Sequence, residues 1–114
     1  MMRSINSSNT KSEILSVTQL TDIVKRVLES RISEVWVEGE ISNFKHHSSG
    51  HMYFSLKDSQ AQLRCVMFKG RNRFVRFRPA NGAQVRIRGS IGVWPPQGSY
   101  QFYVEEMVAA GVGA

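Results

Sequence analysis

The sequence predicts a mainly β domain: a small closed barrel of five strands preceded by an amphipathic helix. Three observations predict it. One early stretch has helical spacing, five later stretches place apolar residues at every second position, and a short basic segment interrupts the third and fourth of these. The 114 residues suffice for one domain and not for two. With 41% hydrophobic residues, a chain of this length builds a core without staples. The lone Cys65 excludes an internal disulfide. No apolar run approaches the ~18 residues of a membrane span, and the polar start does not read as a secretory signal.

Each element follows from its pattern. Residues 1–14 are polar and aperiodic, and are expected to form a disordered lead. Leu20, Ile23, Val24, Val27, Leu28 and Ile32 then recur at helical spacing, with Thr18 as the expected N-cap and the apolar face expected to pack on the core. The period switches to two at Val35, Val37, Gly39 and Ile41, the first strand. A polar loop, Lys45 to Gly50, leads to a second strand from His51 to Lys57, with Met52, Phe54 and Leu56 inward. Asp58-Ser59-Gln60 turns the chain into a third strand, Ala61 to Phe68, with Leu63, Cys65 and Met67 on one face and Gln62, Arg64 and Val66 on the other. Lys69 to Pro79 suits a short helix or turn, with Phe74 expected in the core. Ala83 to Val93 forms the fourth strand and Ser99 to Met107 the fifth, with Phe102 and Val104 inward and Tyr103 outward. Five short strands with a helical insertion after the third describe a Greek-key barrel of the OB type, and Gly39 and Gly89 fit its sharp bends.

Charge points to a polyanion. The net charge is +6, and it is unevenly spread. From Ser59 to Val104 there is no acid and eight bases, whereas the remaining 68 residues hold seven bases and nine acids. Enzyme chemistry finds little support. Glu38 and Glu40 alone share a strand face among the acids, too few for a metal nuclease site. His46, His47 and His51 lie in a loop with no cysteine or further carboxylate at zinc-ligand spacing, so no metal or other cofactor is expected. Cys65 points inward as a small hydrophobe, and no catalytic residue is assigned.

Single-stranded nucleic acid needs a basic groove and aromatic platforms. The second and third strands present His51, Tyr53, Lys57 and Arg64 on one face, flanked by Phe44, Lys45 and His46 in the first loop and by Trp94 to Tyr100 in the last. Tyr53, His51 and Phe44 are the expected stacking residues. Lys45, Lys57, Arg64 and Arg86 or Arg88 are the expected phosphate contacts.

Two segments carry a resemblance. Trp36-Val37-Glu38-Gly39-Glu40-Ile41-Ser42-Asn43-Phe44, and Ser48-Ser49-Gly50-His51 followed by Tyr53-Phe54-Ser55-Leu56-Lys57-Asp58, closely resemble the N-terminal domain of the exodeoxyribonuclease VII large subunit. Ala61 to Phe68, Tyr100-Gln101 and Val104 to Met107 continue it. The resemblance implies an OB-fold module over residues 15–110 that grips single-stranded DNA for a bacterial, cytoplasmic nuclease cutting such DNA from both ends into oligonucleotides. It implies that residues 111–114 begin a linker to a catalytic region outside this sequence, and that the small subunit binds elsewhere on the full chain. Lys69 to Arg73 departs from the shared motifs, so no contact is carried over onto it. Two other readings stand beside this one: an RNA-binding module such as a tRNA synthetase anticodon domain, and a docking domain for its own enzyme.

Overall fold

The structure is a computed structural model that describes residues 14–110. The expectations for residues 1–13 and 111–114 lie outside the described residues. Helix α1 (Val17–Arg31) precedes strands β1 (Val35–His46), β2 (Met52–Lys57) and β3 (Gln62–Met67). A one-turn helix α2 (Lys69–Asn72) follows, then β4 (Gln84–Trp94), a 3-10 turn (Pro95–Gln97) and β5 (Ser99–Ala109). The strands close into a barrel in the order β1-β2-β3-β5-β4, as the pattern predicts.

Closure depends on β1 serving two neighbours. Val35 to Glu40 pair with β4, Glu40 to His46 pair with β2, and Glu40 is the pivot shared by both ladders. The barrel shuts where β3 runs parallel to β5, with Cys65 opposite Phe102 and Val66 opposite Tyr103. Alternate residues fill the interior. Ile41, Cys65, Val85 and Ile87 are fully buried around Phe102, and each large apolar side chain so buried contributes about 1.5–3 kcal/mol. Burial pushes the Cys65 thiol up to about 12, so it is a packing residue at neutral pH.

The bend expected at Gly89 coincides with a register shift between β4 and β5, and a Cβ there would lie 2.0 Å from the Tyr103 carbonyl oxygen. That bulge places Glu105 and Glu106 outside together, where Glu105 meets Arg71 at 3.2 Å and Glu106 meets Arg88 at 3.1 Å.

Four expectations are corrected. Ser16, not Thr18, caps α1: its hydroxyl accepts from the Gln19 N–H and the Gln19 side chain accepts from the Ser16 N–H, a reciprocal capping box. The helix meets the core cluster through Leu28 and Ile32 and keeps Ile23 half-buried, while Val17, Leu20, Val24 and Val27 remain exposed. It is tied to β4 by Glu29, whose carboxylate accepts from the Val93 N–H at 3.0 Å and from Lys25 at 2.9 Å. Val66 is buried although its parity is outward, because Tyr53 and Tyr103 flank it on neighbouring strands. Phe74 is exposed, since the α2–β4 connection turns Val75 and Phe77 toward the core instead.

Candidate nucleic-acid interface

The outer face of β2 and β3 is built by strict alternation. With Met52, Phe54 and Leu56 buried, Tyr53, Ser55 and Lys57 face outward, and on β3 the same parity exposes Gln62 and Arg64. The register sets Ser55 opposite Arg64, so a small side chain leaves room for the guanidinium one step from Tyr53. The arm made by the end of β4, the 3-10 turn and the start of β5 supplies the opposite wall. Trp94 and Tyr100 stand on it, 52% and 57% exposed, and with Tyr53, Ser55 and Arg64 they border an open groove of about 580 Å³. No carboxylate lines it.

Aromatic rings continue from Tyr53 across the sheet. Tyr53 meets His47 edge-on at 6.2 Å and His51 edge-on at 6.5 Å. His51 meets Phe68 at 5.0 Å, and Phe68 stacks on Tyr103 at 5.9 Å. The Lys69 N–H donates to His51 Nδ1 at 3.0 Å, which leaves Nε2 as the ring nitrogen free to bear a proton. Tyr103 is fixed from below by Gly92: a Cβ at that position would lie 2.0 Å from the tyrosine ring. Its hydroxyl accepts from the Gln101 amide at 3.1 Å. Phe68 and Tyr103 join this face beyond the residues the sequence motifs mark. Their signal was parity alone, since Phe68 falls in phase with Arg64, and Tyr103 in phase with Gln101.

The remaining expected residues divide by position. Lys45 pairs with Tyr53 across the β1–β2 ladder and is exposed beside it. A bulge between Ser42 and Lys45, with Asn43 at φ 52°, turns Phe44 inward, where its ring packs on Phe54 at 6.3 Å and is only half-buried. His46 stands at the end of β1, its Nε2 3.2 Å from the Gly50 carbonyl oxygen. Lys57 lies at the opposite end of β2, across from Glu40 and close to Glu38 and Asp58.

Arg86 and Arg88 are not brought to the groove. Arg86 faces Glu38 across the β1–β4 ladder at 3.0 Å. Arg88 is held between Glu34 at 2.6 Å and Glu106 at 3.1 Å, and the hydrogen bonds to these carboxylates, Glu106 foremost, raise its pKa further. Four carboxylates thus lie beside arginines, Glu34 in the α1–β1 turn, Glu38 on β1 and Glu105 and Glu106 on β5, whereas Arg64 has none within 4.0 Å among the described residues. No described helix is long and apolar enough to cross a membrane.

A closed five-stranded barrel with an α2 insertion and a basic, aromatic β2–β3 face is the geometry of an oligonucleotide-binding barrel. The model of the OB-fold nucleic acid binding domain matches residues 15–108. The chain belongs to this family. It is also 52% identical to the exodeoxyribonuclease 7 large subunit of Shewanella frigidimarina over 98% of its length, and 52% identical to that of Brevibacillus brevis over 90%. It spans 25% and 23% of those relatives, so it corresponds to about a quarter of the curated proteins it matches. Among solved structures it resembles a chain of the replication protein A heterotrimer bound to single-stranded DNA, with TM-score 0.57 and 13% identity over 69% of this chain and 58% of that one. It also resembles asparaginyl-tRNA synthetase from Pyrococcus horikoshii, with TM-score 0.52 and 11% identity over 75% of this chain and 21% of that one. These two likenesses concern the fold.

Proposed function

We propose that this OB-fold domain grips single-stranded DNA across β2 and β3 and presents it to the nuclease region of an exodeoxyribonuclease VII large subunit. The observation that carries this reading is the acid-free groove between Tyr53–Arg64 and Trp94–Tyr100. Bases stack on Tyr53 and on the indole and phenol of the opposite wall, while Arg64 and Lys45 neutralise phosphates. Every base has a π face, so this grip tolerates any sequence. A duplex keeps its bases stacked on each other and offers the groove only backbone. Hydrolysis, degradation from both ends, recruitment of the small subunit and a cytoplasmic setting belong to the whole protein in this proposal, and none of them is placed on a residue of this chain.

The test is fluorescence anisotropy of a labelled oligothymidine, with duplex DNA and an RNA of the same sequence as competitors. The expected outcome is binding that duplex does not displace. With about two phosphates neutralised, at Arg64 and Lys45, log affinity falls with log salt at a slope near −1.4. Displacement by the RNA at lower concentration than by unlabelled oligothymidine would assign the groove to RNA. Absence of binding even at low salt would leave docking as the domain's role.

A further inference from the structure

The densest run of unpaired positive charge lies beyond the sheet face. Between α2 and β4 the chain reads Arg73-Phe74-Val75-Arg76-Phe77-Arg78-Pro79 and passes beside the end of the β1–β2 hairpin. An open groove of about 840 Å³ separates the two, with Arg73, Arg76 and Arg78 on one wall and Phe44 and His46 on the other. Its walls are clamped to each other. Asn72 is buried, and its side-chain amide donates to the carbonyls of Gly50 at 2.8 Å and Met67 at 3.1 Å. Phe44 N–H donates to Asn81 Oδ1 at 2.9 Å, and Gly82 N–H to the Ile41 carbonyl at 2.8 Å. The groove is therefore part of the folded framework.

Its arginines carry no ion pair within 4.0 Å among the described residues, whereas Arg71, Arg86 and Arg88 are all paired. No acid lines the groove, and only Arg76 also borders the neighbouring pocket lined by Glu105 and Glu106. Val75 and Phe77 pack toward the core, so Arg76 and Arg78 leave on the exposed side, and the Arg73 guanidinium lies over the Phe74 ring at 5.0 Å. Planar guanidinium groups with free N–H edges match phosphate oxygens two at a time. The approach is continuous with the sheet face, because His51 bridges Tyr53 to Phe68, and Phe68 opens α2, which leads into Arg73.

We propose that this groove is a second phosphate track, in which Arg73, Arg76 and Arg78 hold the backbone of the same single strand after it leaves the Tyr53–Arg64 face. The inference rests on the single-strand reading of that face. It adds a site that is blind to base identity and extends the footprint.

The test compares oligothymidines of about 4 and about 16 nucleotides, the ends of the site-size range of such barrels. The variants are R73Q/R76Q/R78Q, its charge-retaining partner R73K/R76K/R78K, and Tyr53→Ala. All three arginines are exposed, and a thermal melt checks that each variant folds. The glutamine triple is expected to bind the short oligomer as wild type does and to lose at least tenfold in affinity for the long one at low salt. Its salt slope for the long oligomer becomes shallower by about 2, three contacts at about 0.7 each. The lysine triple recovers most of that loss. Equal losses on both lengths would make the arginines a general field and overturn the track, as would no loss on either. Tyr53→Ala reports on the sheet face separately. A silent Tyr53→Ala removes only Tyr53 from the site; if the short oligomer does not bind while the glutamine triple still loses the long one, the sheet reading fails and the track survives. If wild type binds neither length, both are overturned.

Discussion

Replacing Tyr53 with alanine largely separates stacking from folding, because its ring is 40% exposed and meets its aromatic neighbours edge-on, flanking only Val66 among the buried residues. The expected result is a loss of about 1–3 kcal/mol in single-strand affinity with a small fall in melting temperature. An unchanged affinity in the folded variant would remove Tyr53 from the site. Gly92 tests the layer beneath. Gly92→Ala drives a methyl into the Tyr103 ring, which is already held by Phe68 and Gln101, and is expected to cost about 1–3 kcal/mol in a urea titration. A variant as stable as wild type would show that the ring moves freely. At this scale the sequence was informative wherever parity decides the matter: Tyr53 and Arg64 are both outward, on facing strands. It was silent where a neighbour decides. Nothing in the order of residues reveals that Arg88 meets Glu34, 54 positions away, or that a bulge at Asn43 turns Phe44 inward.

Among the elements, α1 meets the core cluster through Leu28 and Ile32 and is tied to β4 by Glu29. Glu29 accepts from the Val93 N–H first and from Lys25 second, and together these hold its carboxyl below the usual glutamate range. A depressed folded-state value means that the tie contributes fully above the ordinary value of 4.5 and is lost as pH falls through the folded one. Glu29→Gln is expected to lower the melting temperature modestly at neutral pH and to flatten its decline on acidification below 4.5. Parallel acid-melting curves for the two proteins would contradict this role. The helix itself was legible from its spacing, but its cap was not legible from residue type alone. Ser16 and Thr18 are both good caps by residue type; the S-x-x-Q pattern of Ser16 to Gln19, which Thr18 with Thr21 three residues on does not have, is the feature that selects the first. Helical spacing also revealed the apolar stripe without revealing that Val17, Leu20, Val24 and Val27 on it stay exposed.

Over the whole molecule, the distribution of acids divides the barrel surface. Carboxylates of β1, the α1–β1 turn and β5 neutralise Arg86 and Arg88, while the β2–β3 face and the α2–β4 connection keep theirs free. The sequence signalled the excess charge between Ser59 and Val104 but not this division, because the acids that quench Arg86 and Arg88 lie outside that interval. This division favours the proposed path of single-stranded DNA over β2 and β3 and against the β4–β5 arm. Amide chemical-shift mapping of this 12.9 kDa chain during an oligothymidine titration tests it most directly. Saturating shifts are expected to centre on Tyr53, Ser55, Arg64, Trp94 and Tyr100, with Glu38 and Arg86 unmoved. Shifts centred instead on the β1–β4 surface would contradict it.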